Sequence, residues 1–211
     1  DYTLEGFFVP VCPVVIGAPV DVIEEIFRAV FLSCENSVVG AVFFSVALLS
    51  ICFMGLYLFT GKVGFLAVSH TGREIAEVAL TLLGNLIGTF VGGILVSAAK
   101  PKLMENAIAR CLPRLEMGVL PILITAFFCG ILMYTAVAIY KEKGSPLGIF
   151  FCVPVFILSG FEHSIADMFY FFCARMFSGE VLLFLLLVVI GNAVGGMFIP
   201  ALRRLAEEKN V

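Results

Sequence analysis

Ser159-Gly160-Phe161-Glu162-His163-Ser164-Ile165-Ala166-Asp167 sets three ionisable side chains inside an otherwise apolar run from Leu147 to Phe172. If that run lies in a bilayer, each charge is costly, about 2.5–3.5 kcal/mol for Asp on insertion scales, and its presence points to function. Composition settles the solvent. The chain of 211 residues is 61% hydrophobic and 14% charged, with mean hydropathy +1.11, too few polar residues to cover a water-soluble globule. Five apolar runs stand out: Val39 to Phe59, Ile75 to Ala99, Met117 to Tyr140, Leu147 to Phe172 and Val181 to Leu202. Each is close to the roughly 20 residues that cross a hydrocarbon core of about 30 Å. They are continuously apolar, without the alternation of a membrane barrel, which predicts an all-α, multi-pass membrane protein.

The N-terminal part is different. Gly6 to Val20 is apolar but short and carries Pro10, Pro13 and Pro19, while Val22 to Ser33 carries Glu24, Glu25 and Arg28. A first span there is shortened or irregular. The expected organisation is an N-terminal segment over 1–33 with an incomplete first span, a transmembrane pore domain over 34–205 and a C-terminal tail over 206–211. No basic stretch precedes an apolar one, so no cleavable signal peptide is read. A net charge of −3 without a run of five like charges argues against nucleic-acid binding. With the C-terminus inside, the inner loops hold Lys62, Arg73, Lys141, Lys143, Arg203, Arg204 and Lys209, against Lys100, Lys102, Arg110, Arg114 and Arg175 outside. That excess predicts a cytoplasmic C-terminus. The cysteines form no Cys-x-x-Cys, and Cys52, Cys129 and Cys152 read as small packing residues within spans. Neither a metal nor another cofactor is expected.

Internal repetition adds topology. Gly84-Asn85-Leu86-Ile87-Gly88 and Gly191-Asn192-Ala193-Val194-Gly195 both fit Gly-x-x-x-Gly, a pattern that lets a neighbouring backbone approach closely. The matched asparagines, half a chain apart, suggest duplication. A half with three spans inserts its copy upside down, which predicts an inverted three-plus-three helical repeat with a site between the halves. Each half then has a broken middle helix: Leu58-Phe59-Thr60-Gly61-Lys62-Val63-Gly64 in the first, Pro154 with Ser159-Gly160 in the second. Breaks at membrane depth free backbone groups that must be buried in protein or line a cavity.

Phe44-Ser45-Val46-Ala47-Leu48, Gly55 to Lys62, the two Gly-Asn-x-x-Gly motifs and above all residues 159–169 resemble the formate/nitrite transporter family, in order from Phe31 to Arg204. The resemblance implies an aquaporin-like bundle assembled as a homopentamer in the cell membrane, each protomer conducting small weak-acid anions (formate, nitrite or hydrosulfide) and protons. It implies that His163 is the central pore histidine and that Thr60 is the threonine that hydrogen-bonds it. Phe44 and Leu48 match an apolar constriction on one side, and Phe156 matches the one on the other. Glu162 matches an acidic neighbour that braces backbone, and Asn85 and Asn192 match asparagines near the broken segments, where Gly61 and Gly160 also sit. The family's vestibule lysine aligns near Gly118, and the nearest cation here is Arg114. Tyr134 and Asp167 stand where the family often has Asn.

Physical chemistry gives such a pore a rationale. A bare anion pays a large desolvation penalty in a dry constriction, whereas a neutral acid pays far less. Histidine, with an ordinary pKa of about 6.5, can attract the anion as a cation, donate a proton to it, or hydrogen-bond it; burial opposes the charged form. Other readings stay open: a buried structural histidine, a transport-inactive or structural subunit of the same fold, or an intramembrane enzyme. The last lacks a His-Glu-x-x-His or a nucleophile motif, His70 being the only other histidine.

Overall fold

The computed structural model describes residues 36–208, and the expected first span lies outside them. The described chain is helical, without strands. Helix α1 (Ser37–Phe53) starts at Asn36, whose side chain accepts the N–H groups of Val38 and Val39 at 2.9 and 3.2 Å. A short α2 (Phe59–Lys62) runs into a 3₁₀ turn over Val63–Ala67. The long α3 (Gly72–Ala99) opens with a capping box in which Thr71 and Glu74 satisfy each other's backbone N–H. An amphipathic α4 (Pro101–Leu115) links the halves, with Pro at its first turn. Then come α5 (Val119–Lys143), α6 (Leu147–Leu158), α7 (Ser164–Cys173) and α8 (Gly179–Glu208).

Three helices, α3, α5 and α8, are long and apolar enough to cross a membrane. The other two expected spans are not continuous: Val39 to Phe59 holds α1 and a break, and Leu147 to Phe172 holds α6, a break and α7. The first break lies earlier than the sequence placed it, and the second falls at Ser159-Gly160 as expected but not at Pro154. Residues 59–67 are helical, and the first interruption comes earlier, at Met54–Leu58. Pro154 sits inside α6 without ending it, and the second interruption spans Ser159–His163.

The two breaks are backbone copies. At the first, Met54 N–H donates to Ser50 O, Gly55 N–H to Cys52 O and Leu56 N–H to Ile51 O, at 2.9, 3.3 and 3.0 Å. At the second, Ser159, Gly160 and Phe161 donate to Val155, Ile157 and Phe156 at 3.0, 3.2 and 3.0 Å. Gly55 and Gly160 both take the left-handed conformation, φ +66° and +67°, that closes a helix in this way. The matched asparagines complete the pattern. Asn85 Oδ1 on α3 accepts from Phe59 N–H at 2.9 Å and its amide donates to Tyr57 O at 3.3 Å. Asn192 on α8 does the same for Ser164 N–H at 2.8 Å and Glu162 O at 2.9 Å, and also reaches Ala126 O at 2.8 Å.

The copies are inverted. Lys62 pairs with Glu77 at the start of α3, and Lys62 shares a cavity with Lys141 at the end of α5, where Glu142 pairs with Arg203 near the end of α8. At the other face, Ser97 near the end of α3 accepts from Arg175, just before α8 begins. So α3 and α8 run in opposite directions. The Gly-x-x-x-Gly face of α8 lies on α5: a Cβ at Gly191 would meet the Ala126 methyl at 2.5 Å, and one at Gly195 would strike the Phe127 carbonyl.

Candidate functional site

His163 is the residue before α7 and serves as its cap. Its Nδ1 accepts the N–H of Ala166 at 3.2 Å, satisfying one of the donors a helix start leaves free. An accepting Nδ1 carries no proton, so the neutral ring holds its proton on Nε2. Nε2 is 2.9 Å from Thr60 Oγ1, and with that tautomer the imidazole N–H donates and the hydroxyl oxygen accepts. Both residues are out of solvent, Thr60 at 0% and His163 at 1% exposure. An imidazolium here would break the Ala166 cap and put a positive charge at the positive end of α7's dipole. The geometry favours the neutral form.

Two halves of the chain therefore meet at one contact, Thr60 from α2 and His163 from the second break. Around it, the Phe156 ring stacks on the imidazole, centroids 5.5 Å apart and planes 22° apart. Phe44 meets Phe156 edge-on at 6.1 Å. These two rings, expected on opposite sides of the histidine, thus touch each other. Leu48 stands apart from them in lining a cavity of about 230 Å³ with Leu58, Gly61, Tyr57, Lys62, Tyr140 and Lys141. Gly61 is buried against Val137, whose nearest methyl would lie 3.0 Å from an added Cβ.

Arg114 turns inward. Its Nε donates to Glu162 Oε2 at 2.8 Å and to Asp167 Oδ1 at 3.2 Å, its Nη1 donates to Arg110 O at 2.7 Å, and the guanidinium lies 5.6 Å from the centre of the Tyr170 ring. The guanidinium is paired with two buried carboxylates, so Arg114 is engaged in ion pairs and does not stand as an unpaired cation at the vestibule. The Glu162 carboxylate takes Arg114 where the sequence comparison had it bracing backbone; the backbone contact is its own carbonyl, held by Asn192. Asp167, the substituted position one turn beyond His163, shares the same cation. Lys62 and Lys141 line a cavity at the opposite face. Lys62 was visible in the sequence as the last residue of the Gly55 to Lys62 motif, but nothing there joined it to Lys141, 79 residues on.

A model of the family described as "Formate/nitrite transporter" matches residues 21–205. The uncharacterized transporter YrhG of Bacillus subtilis (strain 168) is 28% identical over 76% of this chain and 68% of its own length. The nitrite transporter NirC of Escherichia coli (strain K12) is 32% identical over 64% of this chain, which spans 55% of that protein. Two solved structures share the fold. A pentameric formate channel with formate bound superimposes with TM-score 0.77 at 20% identity over 98% of this chain and 99% of its own. An ion channel of the same family gives 0.76 at 24% identity, covering 97% and 92%. The duplicated breaks, their asparagine clamps and the match over residues 21–205 lead to one conclusion: the chain belongs to the formate/nitrite transporter family.

Proposed function

We propose that the protein conducts small monovalent anions of weak acids, with formate and nitrite the first to test and hydrosulfide third, through a pore passing the Thr60–His163 contact. The observation that carries this is the buried 2.9 Å hydrogen bond between Thr60 and His163, with the Phe156 ring stacked on the imidazole; Gly61, the residue after Thr60, lines a cavity that also holds Lys62 and Lys141. In a dry passage an anion needs donors, and Nε2–H and the Thr60 hydroxyl are the two at the constriction. His163 acts by hydrogen bonding and not by giving up a proton: the neutral ring is far too weak an acid, and the cation would uncap α7. Protons reach the anion before the constriction, where it is still hydrated, and the neutral acid crosses. By the same reading the protein is a homopentamer in the cell membrane, residues 34–205 form the pore domain, and the C-terminal end of α8 faces the cytoplasm.

Uptake of formate and of nitrite into liposomes holding the purified protein, at one acidic and one neutral pH, tests this. Flux should rise toward acid as the neutral form of each acid increases, and His163→Gln, which keeps an N–H donor but cannot titrate, should keep that pH dependence. Loss of the pH dependence in His163→Gln overturns hydrogen bonding as the role. No flux from the wild-type protein overturns the channel reading and favours a structural subunit.

A further inference from the structure

We infer that the cavity between Lys62 and Lys141 is a capture site for small monovalent anions, held chiefly by Lys141 and set before the constriction on the face where α5 and α8 end. Its volume, about 230 Å³, holds several waters at roughly 30 Å³ each, or one formate-sized ion with part of its shell. Among the described residues, its walls contain two lysines and the tyrosines Tyr57 and Tyr140, and no Asp or Glu.

Charge around the cavity does not balance. Lys62 is 2.9 Å from Glu77, but the same carboxylate also takes Arg73 at 3.2 Å, so one negative charge serves two cations. Glu142, the residue after Lys141, turns to Arg203 at 3.1 Å. No carboxylate lies within ion-pair distance of Lys141 among the described residues, and its ammonium sits 4.4 Å from the centre of the Phe65 ring. Lys62 lies likewise over Tyr57, at 3.7 Å. Two ammonium groups held over ring faces and sharing one cavity repel each other, and an anion between them relieves that repulsion. Low-dielectric walls focus the field and raise the local anion concentration. The lining also includes Leu58 and Gly61, which flank Phe59 and Thr60 in sequence, so a captured ion waits close to the proposed constriction. On the opposite face Arg114 is paired with Glu162 and Asp167.

This deepens the transport reading and rests on it for the identity of the solute, yet it can be tested without flux. Half-buried Cys52 also lines the cavity and serves as a reporter. The detergent-solubilised protein is treated with a sulfonate-bearing or a trimethylammonium-bearing methanethiosulfonate, and modification of the Cys52 peptide is followed by mass spectrometry, each rate divided by that of free cysteine. The normalised rate should favour the anionic reagent by about threefold or more, Lys141→Gln should remove most of that preference, and Lys141→Arg should keep it. A preference unchanged in Lys141→Gln overturns the proposal, as does a Cys52 that reacts with neither reagent. If wild-type liposomes carry formate, Lys141→Gln should also raise the half-saturating concentration by about threefold. If they carry none, the channel reading fails and the Cys52 result still judges the site.

Discussion

The break after α1 and the break after α6 have the same backbone and different chemistry. Both end a helix on a left-handed glycine, both hand an extended residue to the next helix, and both are clamped by an asparagine from a long neighbouring helix. The extended residue is Leu58 in one and His163 in the other. Leu58 offers no cap, and α2 lasts four residues before tightening into a 3₁₀ turn; His163 caps α7, which runs for ten. Duplication supplies the scaffold twice, and the chemistry is placed once, at the position where a side chain can also hold the next helix.

That comparison can be broken in three places. The largest effect is expected at the clamps. Asn192→Leu strands Ser164 N–H and the Glu162 carbonyl, removes a second bond to the helical Ala126 carbonyl, and should cost about 2–3 kcal/mol. Asn85→Leu strands Phe59 N–H and Tyr57 O and should cost a similar amount, about 2–3 kcal/mol. Denaturant titration in detergent checks this, and a loss below about 1 kcal/mol at either position would show that its asparagine does not hold the break. Next comes chemistry: His163→Ala should cut formate or nitrite flux by about tenfold to a hundredfold, the worth of one strong hydrogen bond, while Leu58→Ala stays within about threefold of wild type. Comparable losses at both would make position 163 a wall like position 58. The smallest effect sharpens the geometry. Gly55→Ala and Gly160→Ala, each with φ near +66° and no atom within 4 Å of the added Cβ, should each cost about 1 kcal/mol and agree to within about 0.5 kcal/mol.

Much of this was legible in the sequence. Continuous apolar runs gave the helices, Gly-Asn-x-x-Gly gave the repeat, and the Glu162-His163 pair, out of place in a membrane segment, marked the site. What misled were local breakers read without tertiary context. Gly61 and Gly64 looked like the first break, yet they lie in helical turns pressed against Val137 and against Gly196, while the breaking glycine is Gly55. Pro154 looked like part of the second, beside Ser159-Gly160, which does break the helix; a proline inside an apolar helix ends nothing when neighbouring protein can satisfy the freed carbonyl. Arg114 looked like a free vestibule charge, because one-dimensional spacing does not show that α4 aims it at Glu162 and Asp167, 48 and 53 residues away. The Lys62 and Lys141 pairing was hidden for the same reason, since only the fold makes them neighbours.

The cap that Nδ1 provides to α7 has a mechanical consequence. A ring that holds a helix end at one nitrogen and a threonine at the other, with Phe156 flat against its face, is a fixed post and not a swinging gate. On the proposed route past it, traffic would be set by how readily a solute trades its water for two stationary donors, so the timing of passage would belong to the solute and not to a motion of the imidazole.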